Sequence, residues 1–538
     1  MHAGIAIIVG IYFLALLGWN LYKFVSGARE AGSAEHLYVG RRDYGTGALI
    51  ATLVAVYASN YTLLAAAESG FRYGISGPVW YALGVALPIF LFIWPVNLIA
   101  RMREAAPDAV TLIEYFGRRY DEKTRLIALI TVLLADIVYI VSVVVAIGIV
   151  LSSLLGIDAH VASLIGGVVL ILYTALGGYE GTVRTHVYQM VIAGLAVAIA
   201  LAITAGRVGL SRFLGSLAAS QLNVLAWHPG RMLDFLLTLA ALAIANPILW
   251  QRMFSARDTK SAVRGMAGFP LLWIPFALGS GLMGMVAFKL LPNIAPAQAA
   301  TQLVVDLFPA WGAVVFLLGG LALVFSTGDA AINNIASIVQ FDIVRRLVKK
   351  PLSSRQDLYL SFGLQIGVGV IGIIGALGVS SILHLLIVNS AIHIALALPL
   401  FLGLTWKAAR SNAAFWSMLL ALVGGGALTI AGWGPMANLI GLLVSAVVLI
   451  GGSWSARRER ENIKAPAVTG AVVAGYAILF LIAREYPDAA WHWPAWSLYP
   501  LFAYAFAGCL ILALVLPIVA LRKKKGRESR PLMVKNDA

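Results

Sequence analysis

Ser326 and Thr327 put two hydroxyl oxygens side by side in an apolar run, Ala322-Leu-Val-Phe-Ser-Thr-Gly-Asp-Ala-Ala-Ile-Asn333. A hard cation such as Na⁺ takes oxygen ligands. Two hydroxyls, with carbonyls from an interrupted helix, would supply about five of them without stranding a buried formal charge. Gly328, beside them, lets another helix come close. A second apolar run, Val54-Ala-Val-Tyr-Ala-Ser-Asn-Tyr-Thr62, is broken at its middle by Ser59, Asn60, Tyr61 and Thr62. Two readings of that break stand. These groups hydrogen-bond a neighbouring helix as packing glue, or they mark an unwound point that exposes carbonyls to an ion or solute.

Ionisable side chains within apolar runs cost a few kcal/mol each, so they mark candidate functional positions. They are Glu68, Asp136, His186, Asp329, His384 and His393. Glu68 beside Arg72 reads as a pair at the outer mouth. Asp136 lies mid-span and has no such explanation. His186 is either a satisfied buried hydrogen-bonding group or a proton carrier, because the ordinary histidine pKa is near ~6.5. His384 and His393 share a run but lack metal-ligand spacing. The chain has no Walker loop, HExxH, CxxC or nucleophile elbow in a suitable context, so a transporter is expected rather than an enzyme.

The elements that must hold these residues are membrane helices. The chain has 538 residues, is 61% hydrophobic and only 12% charged, with mean hydropathy +0.89. A span needs roughly 20 apolar residues, and the runs lack the period-2 alternation of a barrel. About fifteen such stretches are legible: 3–25, 47–70, 77–101, 124–155, 159–178, 184–206, 232–252, 266–290, 308–342, 357–378, 381–405, 413–432, 434–455, 466–486 and 497–521. The fold class is therefore an all-α polytopic membrane protein embedded in the lipid bilayer. The glycine clusters Gly166-Gly167, Gly177-Gly178 and Gly424-Gly425-Gly426 read as packing or bending sites.

The net charge is +15. Its basic residues cluster after alternate spans, as at Arg101 to Lys123, Arg252 to Arg264, Arg345 to Lys350 and Arg522 to Arg527. The positive-inside rule then predicts an outside N-terminus, a cytoplasmic C-terminus and a multi-pass protein of the plasma membrane. Charge in juxtamembrane loops, rather than on one domain face, speaks against nucleic acid as a partner. The first apolar segment has no basic leader or A-x-A site and reads as a retained helix. Cys509 stands alone, so it makes no internal disulfide and reads as a packed thiol.

Four stretches together resemble the sodium/solute symporter family, whose core has the LeuT-like fold. They are Ala58-Ser59-Asn60-Tyr61 with Glu68 to Gly74, Tyr173 to Gly178 with Thr182 to Gln189, Asn246-Pro247 through Gln251-Arg252 with Ala256-Arg257-Asp258, and Ser326-Thr327-Gly328-Asp329 with Asn333 and Phe341-Asp342-Ile343. The resemblance covers roughly residues 1–455 and implies two five-helix inverted repeats whose broken first helices meet near the midplane. Those repeats map to 47–206 and 232–405, behind a leading helix and loop at 1–46. Peripheral helices at 413–521 and a basic tail at 522–538 follow.

The resemblance further implies a sodium site at the carbonyls of Ala58, Tyr61 and Leu323 and the hydroxyls of Ser326 and Thr327. It places a small-molecule substrate near Asn60, Thr62, Tyr139, Leu239 and Ala243. The chain departs from the family at His186, where an aspartate is usual, and a His186–Asp329 pair is the hypothesis there. Na⁺ is the expected coupling ion, and that pair keeps H⁺ open as the alternative. The expected function is sodium-driven import of an amino acid, monocarboxylate or vitamin-like acid. The face near Leu239, Leu242, Ala243 and Asn246 is too aliphatic for a sugar, whose buried hydroxyls would each cost ~1–3 kcal/mol unpaired. A transporter-like sensor is the other class, disfavoured because no output domain follows residue 521.

Overall fold

The computed structural model describes residues 2–25, 35–225, 229–348, 352–379, 382–430 and 435–454. The expected spans 466–486 and 497–521, Cys509 and the basic tail lie outside the described residues. The described chain is almost wholly helical, with one isolated β-bridge between Tyr44 and Ala256. In hydrocarbon a helix pairs its own backbone groups, which is why continuous apolar runs fold this way.

The helices that matter here are α1 (His2–Val25), α2 (Thr46–Tyr57), α3 (Tyr61–Tyr73), α4 (Ser76–Pro88) and α5 (Glu122–Leu155). There follow α6 (Ala159–Tyr179), α7 (Gly181–Val208), α8 (Pro229–Ala245), α9 (Pro247–Ser255) and α10 (Thr259–Leu290). The rest are α11 (Ala310–Leu347), α12 (Ser354–Ala376), α13 (Ile382–Thr405), α14 (Ser411–Ile430) and α15 (Pro435–Trp454). Among the described residues eight helices are long and apolar enough to cross a bilayer, or nine if α2 and α3 form one bent span. Acidic and hydroxyl side chains cap the ends that face water. Asp121 accepts from Thr124 N at 2.9 Å, Asp158 from His160 N at 2.9 Å and Asp258 from Ser261 N at 2.7 Å. Each cap satisfies an amide that the helix itself leaves unpaired.

Several expected spans differ from separate single rods. The span read at 77–101 stops being α-helical at Pro88, continues as a π-turn over Ile89–Ile93 and restarts at Leu98, with Asn97 left-handed at φ 51°. Pro95 has no amide hydrogen and restricts the residue before it, so the ladder cannot run through. The spans read at 159–178 and 184–206 instead join end to end, kinked at Gly178 with φ 59°, a conformation that glycine adopts without penalty.

Around the site, α11 packs on α5, α6 and α7, while α2 packs on α7 and α10. α13 lies against α5 and α8. The α3–α10 seam is backbone against backbone. A Cβ on Gly70 would lie 2.0 Å from the Gly281 carbonyl oxygen, and one on Gly284 would lie 1.9 Å from that of Ala67. Gly328 likewise lets Leu170 and Val143 approach α11, where a Cβ would meet them at 2.6 and 2.9 Å.

Candidate functional site

Two interrupted helices frame the site. α2 ends at Tyr57, and α3 leaves it at an angle of 55°. Across the gap Ala58 N donates to Val54 O at 2.7 Å, and Ser59 Oγ accepts from Tyr61 N at 3.2 Å. α8 stops at Ala245. Asn246 then caps α9, its Oδ1 accepting from Ile248 N at 2.9 Å and from Leu249 N at 3.4 Å, with Pro247 in the first turn. An Asn-Pro pair supplies a capping acceptor followed by a residue that needs no amide partner. The indole of Trp250 donates to the Ile244 carbonyl at 2.8 Å, pairing one acceptor that the break sets free.

The last carbonyls of α2 have no partner in their own helix, and hydroxyl groups meet them. Ser326 Oγ donates to Ala55 O at 3.0 Å and to Leu323 O at 2.7 Å. Thr327 Oγ1 donates to Val56 O at 3.3 Å and to Leu323 O at 3.0 Å. Both side chains are fully buried. Leu323, Ser326 and Thr327 thus lie within one turn of α11, and the carbonyls that the two hydroxyls meet across the seam are those of Ala55 and Val56, not of Ala58 and Tyr61. The break itself explains the shift. Orphan carbonyls belong to the final turn of a helix, and α2 ends at Tyr57, whereas the Tyr61 carbonyl accepts from Ala66 N in the next helix.

The arrangement suits a hard monovalent cation. Oxygens at about 2.4 Å from a shared ion stand about 3.4 Å from one another. The hydroxyl-to-carbonyl distances of 3.0 and 3.3 Å across the α2–α11 seam need little adjustment. Turning the two hydroxyl hydrogens away would leave two hydroxyl and two carbonyl oxygens along one seam. Among the described residues no group of three or more His, Cys, Asp or Glu converges as a transition metal requires.

A cavity of about 30 Å³ opens beside the break, room for one or two waters or the core of a compact solute. Tyr57, Ser59 and Tyr61 line it from the break, with Tyr81 and Val85 from α4. Asp136 and Tyr139 come from α5, Leu239, Leu242 and Asn246 from α8 and its end, and Asn389 and His393 from α13. Of the expected substrate residues, Tyr139 and Leu239 line this cavity.

Asn60, Thr62 and Ala243 are buried beside it without lining it. Asn60 Nδ2 donates to Ser142 Oγ at 2.9 Å. Thr62 Oγ1 donates to the Tyr57 carbonyl and accepts from Trp273 Nε1 at 3.1 Å. These two polar groups clamp the break to its neighbours, the packing reading of the same residues. Asn389 escaped notice in the sequence. Its signal was the four-residue spacing from His393, which puts the two on one helix face.

Between the same two helices that carry these hydroxyls and carbonyls, His186 forms a further bridge. Its Nδ1 lies 2.8 Å from Thr52 Oγ1 on α2, and its Nε2 lies 3.0 Å from Asp329 Oδ1 on α11. Both side chains of the pair are fully buried. Glu68 does pair with Arg72, at 2.9 Å, but the glutamate is buried and only the arginine is exposed, so this is no surface pair.

The comparisons agree with this architecture. A model described as the sodium:solute symporter family matches residues 37–421. The chain is 25% identical over 490 residues to the urea-proton symporter DUR3 of Oryza sativa subsp. japonica, covering 81% of this chain and 66% of that protein. It is 24% identical over 397 residues to the probable urea active transporter 1 of Schizosaccharomyces pombe, covering 66% of this chain and 58% of the relative. The match thus spans about two thirds or less of these curated relatives. Among solved structures, the substrate-bound outward-open state of a Na⁺-coupled sialic acid symporter superposes with a TM-score of 0.68 at 19% identity. That likeness covers 82% of this chain and 96% of the other, and it shows the fold, which is LeuT-like. From its helices, its interrupted pair and this match, the chain is a multi-pass membrane protein that belongs to the sodium:solute symporter family.

Proposed function

We propose that the protein is a sodium-coupled symporter that imports a small organic solute across the plasma membrane by alternating access. One observation carries this reading. The hydroxyls of Ser326 and Thr327 close on the terminal carbonyls of an interrupted helix, next to a cavity lined by that same interruption. Sodium between them would tie α2 to α11. The cavity walls include Tyr57, the last residue of α2, so ion and solute would share one moving element. Coupling then follows from the difference in sodium affinity between the outward and inward arrangements. The segments 47–206 and 232–405 act in this reading as inverted repeats, with the N-terminus outside and the C-terminus in the cytoplasm. The basic loops support that orientation.

The test is a thermal-unfolding series on the purified protein, with Na⁺ titrated against choline at fixed pH. A ligand that binds only the folded state stabilises it by RT ln(1 + [L]/Kd), about 2.7 kcal/mol at a hundredfold excess over Kd. Na⁺ is expected to raise the unfolding temperature, and the joint Ser326→Ala, Thr327→Ala variant is expected to lose that response. Equal curves in Na⁺ and choline overturn sodium coupling.

The buried His186–Asp329 contact favours a second reading, in which H⁺ drives transport. It predicts stabilisation and solute uptake that follow pH and ignore the Na⁺-for-choline exchange.

A further inference from the structure

The hydrogen bonds around the cavity fix which of its atoms are acceptors. A backbone carbonyl only accepts, so the 2.8 Å contact between His393 Nδ1 and Asn389 O puts the proton on Nδ1. In the neutral ring Nε2 is then a bare acceptor, and it has no partner. The same logic orients Asn389. Its amide nitrogen donates to Ala135 O at 2.6 Å, which leaves Oδ1 as a second buried acceptor without a partner. Asp136 adds a carboxyl group. Its Oδ2 accepts from Asn334 Nδ2 at 2.6 Å, and no cationic side chain is among the residues lining the cavity. Opposite, Asn246 spends its Oδ1 on capping α9, so its Nδ2 is left as a donor. The cavity therefore has acceptors on α5 and α13, faced by the Asn246 amide from the second break and by the buried hydroxyls of Tyr57 and Tyr61, which have no partner either.

We infer that this cavity takes a compact solute that presents N–H donors to Asp136, Asn389 and His393, with any carbonyl turned to Asn246. The inference rests on the symporter reading of the same cavity and narrows its cargo. Buried acceptors left unmet cost about 1–3 kcal/mol each, so an N–H-bearing head is selected. A carboxylate head would lie against the Asp136 carboxyl group with no cation among the lining residues, the buried Arg252 guanidinium reaching the cavity only through its field at Tyr57 and Tyr139. Two chemistries share the required donors. They are neutral amides of the urea type and small ammonium or guanidinium ions, the latter supplying the positive partner that Asp136 has nowhere among the lining residues.

The experiment is equilibrium binding to the full-length protein in detergent, in saturating Na⁺ and in choline. The probes are urea, acetamide, methylammonium, guanidinium, acetate and lactate. Binding by either N–H class, with acetate and lactate silent, is the expected result. Urea and acetamide alone would mark a neutral cargo, and methylammonium or guanidinium alone a cationic one. Asp136→Asn is expected to weaken the cations by about tenfold or more and the amides by less. Binding of acetate or lactate in preference to every N–H probe overturns the inference. So does silence from all six probes in protein whose Na⁺-induced stabilisation is intact. Loss of that stabilisation with N–H binding retained defeats the sodium reading instead and leaves this one standing. Should Asp136→Asn not fold, the ranking of probes on the unmodified protein decides.

Discussion

Ser326 on α11 donates to the carbonyl of Ala55 on α2 at 3.0 Å, across 271 positions of sequence. That bond ties the final turn of one helix to the middle of another at the only kind of place where a helix offers unpaired carbonyls. It is also the seam along which an ion would act.

Removing one hydroxyl should weaken Na⁺ without abolishing it. Ser326→Ala is expected to lower Na⁺ affinity by roughly tenfold, since one oxygen of the set is lost. Thr327→Ser should retain near-native affinity because it keeps the hydroxyl. Radioactive sodium binding to the purified protein reads both. Equal affinities of Ser326→Ala and the unmodified protein would remove the Ser326 hydroxyl from the site.

The His186–Asp329 contact should behave as one unit. His186→Ala and Asp329→Ala each leave a fully buried partner short of its bond. The joint variant is expected to be more stable than the two losses added together, by a coupling of about 0.5–3 kcal/mol. A double-mutant cycle in thermal unfolding measures it, and strict additivity would show that the two side chains do not interact.

Asn246→Ala removes the acceptor that caps α9 at the second break. The expected cost is about 1 kcal/mol. Asn246→Ser should recover most of it, because serine also caps. Unfolding curves of the two variants give the comparison.

Two glycine substitutions should move stability in opposite directions. Gly284→Ala drives a methyl group to within 1.9 Å of the Ala67 carbonyl oxygen, and overpacking of this kind costs about 1–3 kcal/mol. Gly363→Ala on α12 meets nothing within 4 Å and should be neutral or stabilising by up to about 1 kcal/mol through helix propensity. Thermal unfolding in one detergent reads both. A tolerated Gly284→Ala would mean that the α3–α10 seam is looser than its backbone contacts imply.

Much of this protein is legible one residue at a time. Apolar runs of the necessary length dictate membrane helices, because hydrocarbon forces each segment to pair its own backbone groups. Asn246-Pro247 writes its own helix start, and Ser326 and Thr327 declare two oxygens in an apolar rod. The polar interruption at Ser59 to Thr62 announces a bend.

What the sequence left open is where the bend ends and what faces what. The hydroxyls meet Ala55 and Val56 rather than Ala58 and Tyr61, because only the three-dimensional end of α2 decides which carbonyls lack an intrahelical partner. Asn60 and Thr62 turned out to clamp the break, while Asp136, Asn389 and His393 reached the cavity from helices distant in the chain. The polarity of that cavity depends on carbonyls at Ala135 and Asn389, which every residue type possesses. Composition names the helices because lipid acts on each segment alone. The site belongs to the tertiary structure because its chemistry lies in backbone atoms and hydrogen-bond directions that exist only once separate helices have packed.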